Sequence, residues 1–265
     1  MSMRKIGINV SPDVIYGVDP FMHAIAAAGF ESVFTYGNRP EFIDRVDALC
    51  RELGLTYEAL HAPSDNINDL WYADEKGDAV VRLLCESVDL AAAHGIPIVI
   101  VHVSSKENCP HVTDAGLENF DKFVKYAAEN NITVAVENQR KLGNIATIME
   151  IYGPESNVGF CWDVGHEACF AYGREYFPLF GSRCVITHIH DNNCRYNVDE
   201  HLLPYDGQID FRRTADLLHA SDYKGTLMLE IDLPAEDNDK YRNLSMEQFA
   251  AKAYAAVNRL NILAE

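Results

Sequence analysis

Eight short β-prone runs alternate along this chain with longer amphipathic stretches, and that alternation restricts the fold more than any other feature. The runs cover 5–10, 32–36, 56–61, 97–103, 133–137, 158–163, 185–190 and 226–231; helical patterns between and after them include 41–53, 76–94, 115–130 and 246–260. Gly29, Gly54 and Gly95 each close a helical pattern just ahead of a strand, where a left-handed cap belongs. The run Ile98-Val99-Ile100-Val101 is apolar on both faces, which marks a parallel strand covered by helices. Repeated eight times, this pattern predicts an α/β chain forming a single (β/α)8 barrel over residues 1–265. An open doubly wound sheet is the alternative, but no GxGxxG follows the first strand. The length of 265 residues suits a closed barrel, which typically takes about 250.

Charge and cysteine usage narrow the function. Forty acidic side chains against 22 basic ones leave a formal charge of −18, a field that repels phosphate backbones. No nucleic-acid partner is expected. No apolar run approaches the ~20 residues of a membrane span, so no membrane partner is expected either. The start, Met-Ser-Met-Arg-Lys-Ile-Gly-Ile-Asn-Val, leads straight into a strand without a signal-peptide apolar region. Seven scattered cysteines with no CxxC suit a reducing, cytoplasmic location, and Cys161 and Cys184 read as core packing. Barrels of this kind often associate into homo-oligomers through their helices, but no exposed apolar stripe marks such a face here.

The polar residues fall where the strands end. His61, His102, Glu137, Asp163, His188, His190, Asp191 and Glu230 end strand runs; His166 follows Asp163 by three residues, and Asp199 and His201 lie in the loop after the seventh strand. In a barrel those ends converge on one face, where active sites are built. A single strand-end histidine is more often a hydrogen-bonded core residue, and a lone Glu230 would read as a buried ion pair, though no basic residue is placed to complete it. Several carboxylates gathered together repel, and a divalent cation neutralises them most simply. Mixed imidazole and carboxylate donors suit manganese, cobalt, magnesium or zinc without choosing among them.

Ordered motifs extend this reading over nearly the whole chain. They are His61-Ala62-Pro63, His102, Val136-Glu137-Asn138, Trp162-Asp163-Val164-Gly165-His166, His188-Ile189-His190-Asp191-Asn192, Asp199-Glu200-His201-Leu202-Leu203-Pro204, Gly207-Gln208-Ile209-Asp210-Phe211 and Leu229-Glu230-Ile231. As a set they resemble the xylose isomerase-like TIM-barrel superfamily, which includes sugar isomerases, ketose 3-epimerases, inosose dehydratases and endonuclease IV. The resemblance implies a divalent-metal-dependent isomerase or epimerase of an unphosphorylated sugar or polyol. One metal would be held by Glu137, Asp163, His188 and Glu230, with Glu137 and Glu230 moving a proton through a metal-stabilised enediolate. His61, His102, His166, Asp199 and His201 would bind substrate or further metal. Trp71, in the loop after the third strand, is a candidate to stack on the sugar, with a plain capping or core role as the alternative. Ketose 3-epimerases usually carry an arginine six residues after the metal histidine; here that position is Cys194, which leaves Arg195 as the candidate substrate grip.

The same resemblance implies two alternatives. A keto-polyol dehydratase would use the same metal and the same proton abstraction. An endonuclease IV-like phosphodiesterase would hold up to three zinc ions on nine ligands, with counterparts at His61, His102, Glu137, Asp163, His166, His188, Asp199, His201 and Glu230. Charge disfavours the phosphodiesterase. The loop at 64–75 has no basic residue, and the loop at 232–239 is acidic; Arg140 and Lys141 are the exceptions. A neutral small-molecule sugar suits such a mouth.

Overall fold

The computed structural model describes residues 3–236 and 240–265; Met1, Ser2 and the Asp237-Asn238-Asp239 stretch of the acidic loop lie outside the described residues. Eight strands form one parallel sheet: β1 (Ile6–Val10), β2 (Ser32–Tyr36), β3 (Thr56–His61), β4 (Ile98–Val101), β5 (Thr133–Glu137), β6 (Val158–Asp163), β7 (Cys184–His188) and β8 (Leu227–Leu229). The helices are α1 (Val18–Ala28), α2 (Pro40–Leu53), α3 (Glu75–His94), α4 (Asp114–Glu129), α5 (Leu142–Ile151), α6 (Val164–Phe170), α7 (Phe177–Phe180), α8 (Phe211–Ala220) and α9 (Met246–Leu263). Strand order runs β7-β6-β5-β4-β3-β2-β1-β8, so sequential strands are neighbours and β8 returns to β1. The ring closes through a bridge between Ile189 and Leu229, where Ile189 N–H donates to Met228 and Glu230 N–H to Ile189. The expected (β/α)8 barrel is the fold.

The cause lies in the alternation of the strands. Phe34, Ala59, Ile98, Ile100, Ala135, Cys161, Ile186 and Met228 fill the barrel's interior as one buried cluster. Their alternates, among them Ile8, Val33, Leu60, Val99, Val134 and Phe160, pack against the surrounding helices. Gly29, Gly54 and Gly95 take φ of 107°, 71° and 66° at the ends of α1, α2 and α3, as the left-handed caps require. Among the described residues no helix is long and apolar enough to cross a membrane.

Three strands are shorter than the apolar runs suggest. β4 stops at Val101, β7 at His188 and β8 at Leu229, so His102, His190, Asp191 and Glu230 lie just beyond the ladder. There the backbone turns to other partners: Asp191 pairs antiparallel with Leu202, and Glu230 N–H reaches Ile189.

Trp71 takes the core role rather than the sugar-stacking one. It sits in a single 3-10 turn, 1 % exposed, with its indole N–H donating to the Val103 carbonyl at 2.9 Å and Gly116 of α4 against its ring. No face of the ring is left for a sugar; the loop after β3 uses it as an anchor to α4. A Cβ at position 116 would run into that ring. Gly116→Ala is therefore expected to destabilise the protein by about 1–3 kcal/mol despite alanine's better helix propensity. Urea unfolding checks this, and an unchanged midpoint would mean that the indole moves aside without cost.

Candidate metal and active centre

His61, His102, Glu137, Asp163, His188, His190 and Glu230 gather at the C-terminal end of the barrel, where the parallel strands converge, whereas Asp191 turns to the loop that follows and accepts N–H from Gly207 and Ile209. Glu137 lies at the centre. It is 0 % exposed; Oε2 is 2.9 Å from His61 Nε2 and 2.9 Å from His102 Nε2, and Oε1 is 3.2 Å from His188 Nδ1 and 3.1 Å from His166 Nδ1. Glu230 places Oε2 3.1 Å from the same His188 Nδ1, while Asp163 Oδ2 is 3.9 Å away.

Donor atoms of Glu137, Asp163, His188 and Glu230 all fall within 4.8 Å of one another, and all four residues are buried. His61, His102 and Glu137 form a second such group, and His166, His190, Asp199 and His201 a third. All nine residues of the expected ligand set are brought together, and His190 joins them. Arg195 is not among the residues that line the mouth: its guanidinium is exposed and pairs with Glu200 at 3.2 Å.

The donor set fits a cation. Asp163 Oδ2 and Glu230 Oε2 are buried carboxylate oxygens without a hydrogen-bond partner among the described residues, as is Asp199 Oδ1 in the third group. An unsatisfied buried carboxylate oxygen is costly unless something positive meets it. Protons on the imidazoles take that place in the metal-free chain. Burial works against charge on His188, but Cys161, Glu230 and Glu137 outweigh it and raise its pKa well above the ordinary histidine value. Burial also opposes charge on His201; Asp199 overrides it and lifts the pKa to about 10. Burial likewise would raise Glu137 and Glu230, yet His188 foremost holds both well below the carboxylate range. Asp163 goes the other way: burial dominates and raises it. His102 is lowered, again by burial.

Several residues that complete the site carry weaker sequence signals. Asn138 clamps β5 to β6, with Oδ1 accepting Asp163 N–H at 2.7 Å and Nδ2 donating to Asp163 carbonyl at 2.8 Å. Gln139 Nε2 lies 3.0 Å from His166 Nδ1 and 3.2 Å from His102 Nε2. Asn9 ties β1 to the chain after β8 through both Ile231 backbone groups. Tyr36, the last residue of β2, donates its hydroxyl to Glu230 Oε1 at 3.0 Å, and Phe34 two residues earlier stacks on His188 at 4.7 Å. The period-two spacing of Phe34 and Tyr36 is the one signal in the sequence that could have placed them on the same inner face. Glu230 thus has one oxygen tied to Tyr36 and the other facing His188 Nδ1 at 3.1 Å without a hydrogen bond. Tyr36→Phe is expected to leave the fold intact and to weaken metal binding or turnover by about 10- to 100-fold, as losses of a ligand's supporting partner do. Metal titration of the variant checks this; affinity and turnover equal to the parent would leave the hydroxyl without a role.

The mouth is a cavity of about 870 Å³. Arg39 is its one lysine or arginine among the described lining residues, against Asp13, Asp65, Asp199, Glu230 and Asp232. Such a rim favours hydroxyl-rich, uncharged ligands over phosphates.

A family model described as xylose isomerase-like TIM barrel matches residues 22–247. The uncharacterized protein y4fM of Sinorhizobium fredii is 31 % identical over 207 residues, 73 % of this chain and 64 % of that protein. The chain spans less than two thirds of the length of the curated relatives it matches. Among solved structures, an L-ribulose 3-epimerase superposes with a TM-score of 0.79 at 17 % identity, covering 99 % of this chain and 96 % of that one. A D-allulose 3-epimerase from Methylomonas sp. in complex with D-allulose superposes at 0.73 with 18 % identity, covering 98 % and 99 %. At these identities the structural likeness concerns the fold.

Proposed function

The chain belongs to the xylose isomerase-like TIM-barrel family, and from that premise we propose that it is a divalent-metal-dependent isomerase or epimerase of an unphosphorylated ketose or related polyol. The observation that carries this reading is the buried group of Glu137, Asp163, His188 and Glu230, with Asp163 Oδ2 and Glu230 Oε2 left unsatisfied at the base of an acidic, hydroxyl-friendly mouth. A divalent cation held there would supply Lewis-acid polarisation of a carbonyl and its neighbouring hydroxyl. The chain's own part is to hold the sugar and to move the proton. Glu137 from β5 and Glu230 from beyond β8 both reach His188 Nδ1, at 3.2 and 3.1 Å, so two carboxylates from separate strands stand at the site: one would take a proton from the carbon beside the carbonyl and the other would return one. Return to the opposite face of that carbon epimerises; return to the neighbouring carbon isomerises. Neighbours named as L-ribulose and D-allulose 3-epimerases support a ketose as substrate.

The test is turnover of a panel of free ketoses in deuterated water, with metal content measured by elemental analysis. About one divalent ion per chain, with deuterium entering the carbon next to the carbonyl, is the expected result. Turnover without deuterium would replace proton transfer by a hydride shift.

One observation favours a second reading, a three-zinc phosphodiesterase: there are three donor groups among the described residues, two of them sharing Glu137, and His166 of the third lies 3.1 Å from the same carboxylate. The acidic rim opposes it, since a phosphodiester backbone is gripped through several cations. Close to three tightly held zinc ions, with cleavage of abasic-site DNA, would establish it in place of the first.

A further inference from the structure

A second cavity, of about 660 Å³, opens among the loops that follow β4, β5, β6 and β7. Among the described residues its wall carries Arg140, Lys141 and Arg174 against a single carboxylate, Glu107. That inverts the balance of a chain with 40 acids and 22 bases. Elsewhere on the surface Arg45 pairs with Asp19, Arg213 with Glu175 and Arg195 with Glu200. No carboxylate among the described residues lies within ion-pair distance of Arg140, Lys141 or Arg174.

Two further features favour an anion. Arg140 is held in place before any ligand arrives: Nε donates to Asn197 Oδ1 at 2.8 Å, and the guanidinium lies 3.5 Å over the Phe170 ring. The first turn of α5 also lines the cavity, with no side-chain cap and no acidic residue, so its unpaired N–H groups and positive dipole end add to the same field. Gly143 in that turn has open space where a side chain would stand. At the cavity's edge Tyr172 and Tyr196 stack with centroids 4.1 Å apart, and Tyr172 is 69 % exposed. They offer an outer aromatic face.

We propose that this cavity binds a small phosphorylated molecule carrying a flat ring, in chemical class a nucleoside monophosphate. Its phosphate offers several oxygens at once to Arg140, Lys141, Arg174 and the α5 N–H groups, which a single carboxylate cannot do. Its ring stacks on the tyrosine pair. A nucleic-acid strand is the poorer fit, because three cations fall short of the roughly six to ten phosphate contacts such binding uses. The site is separate from the mouth and does not depend on the epimerase reading.

The test is calorimetric titration of the metal-loaded full chain with adenosine monophosphate and, separately, inorganic phosphate. Saturable binding of the nucleotide is expected, weakening as salt rises and at least tenfold tighter than phosphate. Lys141→Ala, at a half-buried position, and Arg174→Ala, at an exposed one, are each expected to weaken it about tenfold, and Tyr172→Ala to erase the advantage over phosphate. Arg39→Ala removes the mouth's own cation and is expected to leave binding within twofold; a large loss there would put the phosphate in the mouth and overturn the assignment. Absence of saturable nucleotide binding, or binding indifferent to all three cavity variants, would also overturn it, as would equal affinity for phosphate and nucleotide.

Discussion

Replacing Glu137 with glutamine is expected to strip the divalent ion from the purified protein and to lower ketose turnover by about a thousandfold or more. Glutamine keeps the side chain's shape but removes the charge that four imidazoles share: His61 and His102 at one oxygen, His166 and His188 at the other. The amide also turns a donor toward nitrogen atoms that must accept or bind metal. Breaking such a buried charged set costs several kcal/mol, and about 4 kcal/mol corresponds to the thousandfold quoted. Elemental analysis and steady-state turnover check the two halves independently, and circular dichroism separates a lost site from a lost fold. Full metal content together with unimpaired turnover would remove Glu137 from the centre of the mechanism.

Removal of the metal by a chelator is the second large expected effect, and it acts on stability. An ion that binds only the folded chain stabilises it by about 4 kcal/mol when free ion stands a thousandfold above its dissociation constant. Chelation should then lower the melting temperature on the order of 10 °C. The loss should also acquire a pH dependence. In the metal-free protein His188 and His201 keep protons that the unfolded chain sheds near pH 6.5, and His201 holds its own to about pH 10. The folded state therefore binds more protons across that window, and its stability falls as pH rises from about 6.5 toward 10. The metal-loaded protein should run the opposite way near neutrality, because ligands must be deprotonated to bind. Thermal scans from pH 6 to 9, with and without chelator, check both slopes. Identical melting curves in the two conditions would mean that no ion is bound at this site.

How much of this was legible in the residues differs from element to element. The barrel was, because eight apolar runs alternating with helical patterns, and glycine caps before three strands, are local chemistry that any neighbour must respect. The four-residue group Glu137, Asp163, His188 and Glu230 was legible for a related reason: the C-terminal ends of parallel barrel strands converge on one mouth, so polar residues at or just past those ends are brought near one another. Trp71 and Arg195 were not. A tryptophan in a loop after a strand reads the same whether its ring meets a sugar or Gly116, and only the docking of that turn on α4 decides. Arg195 stands one residue from an expected substrate contact, yet the loop sends it to Glu200.

What the sequence by itself determined is the kind of molecule: a (β/α)8 barrel with carboxylates and imidazoles on one rim, in a chain too acidic to favour a nucleic-acid backbone. Periodicity, caps and charge are carried by each residue alone, so they survive without coordinates. What only the tertiary structure decided is which atoms meet. The meeting of Asp163 and Glu230 beside His188, the Tyr36 hydroxyl on Glu230, the sharing of Glu137 among four histidines and the cations without ion pairs around the second cavity all join residues far apart in the chain. Those distances follow from strand register and ring closure, which depend on the packing of the whole barrel rather than on any one segment.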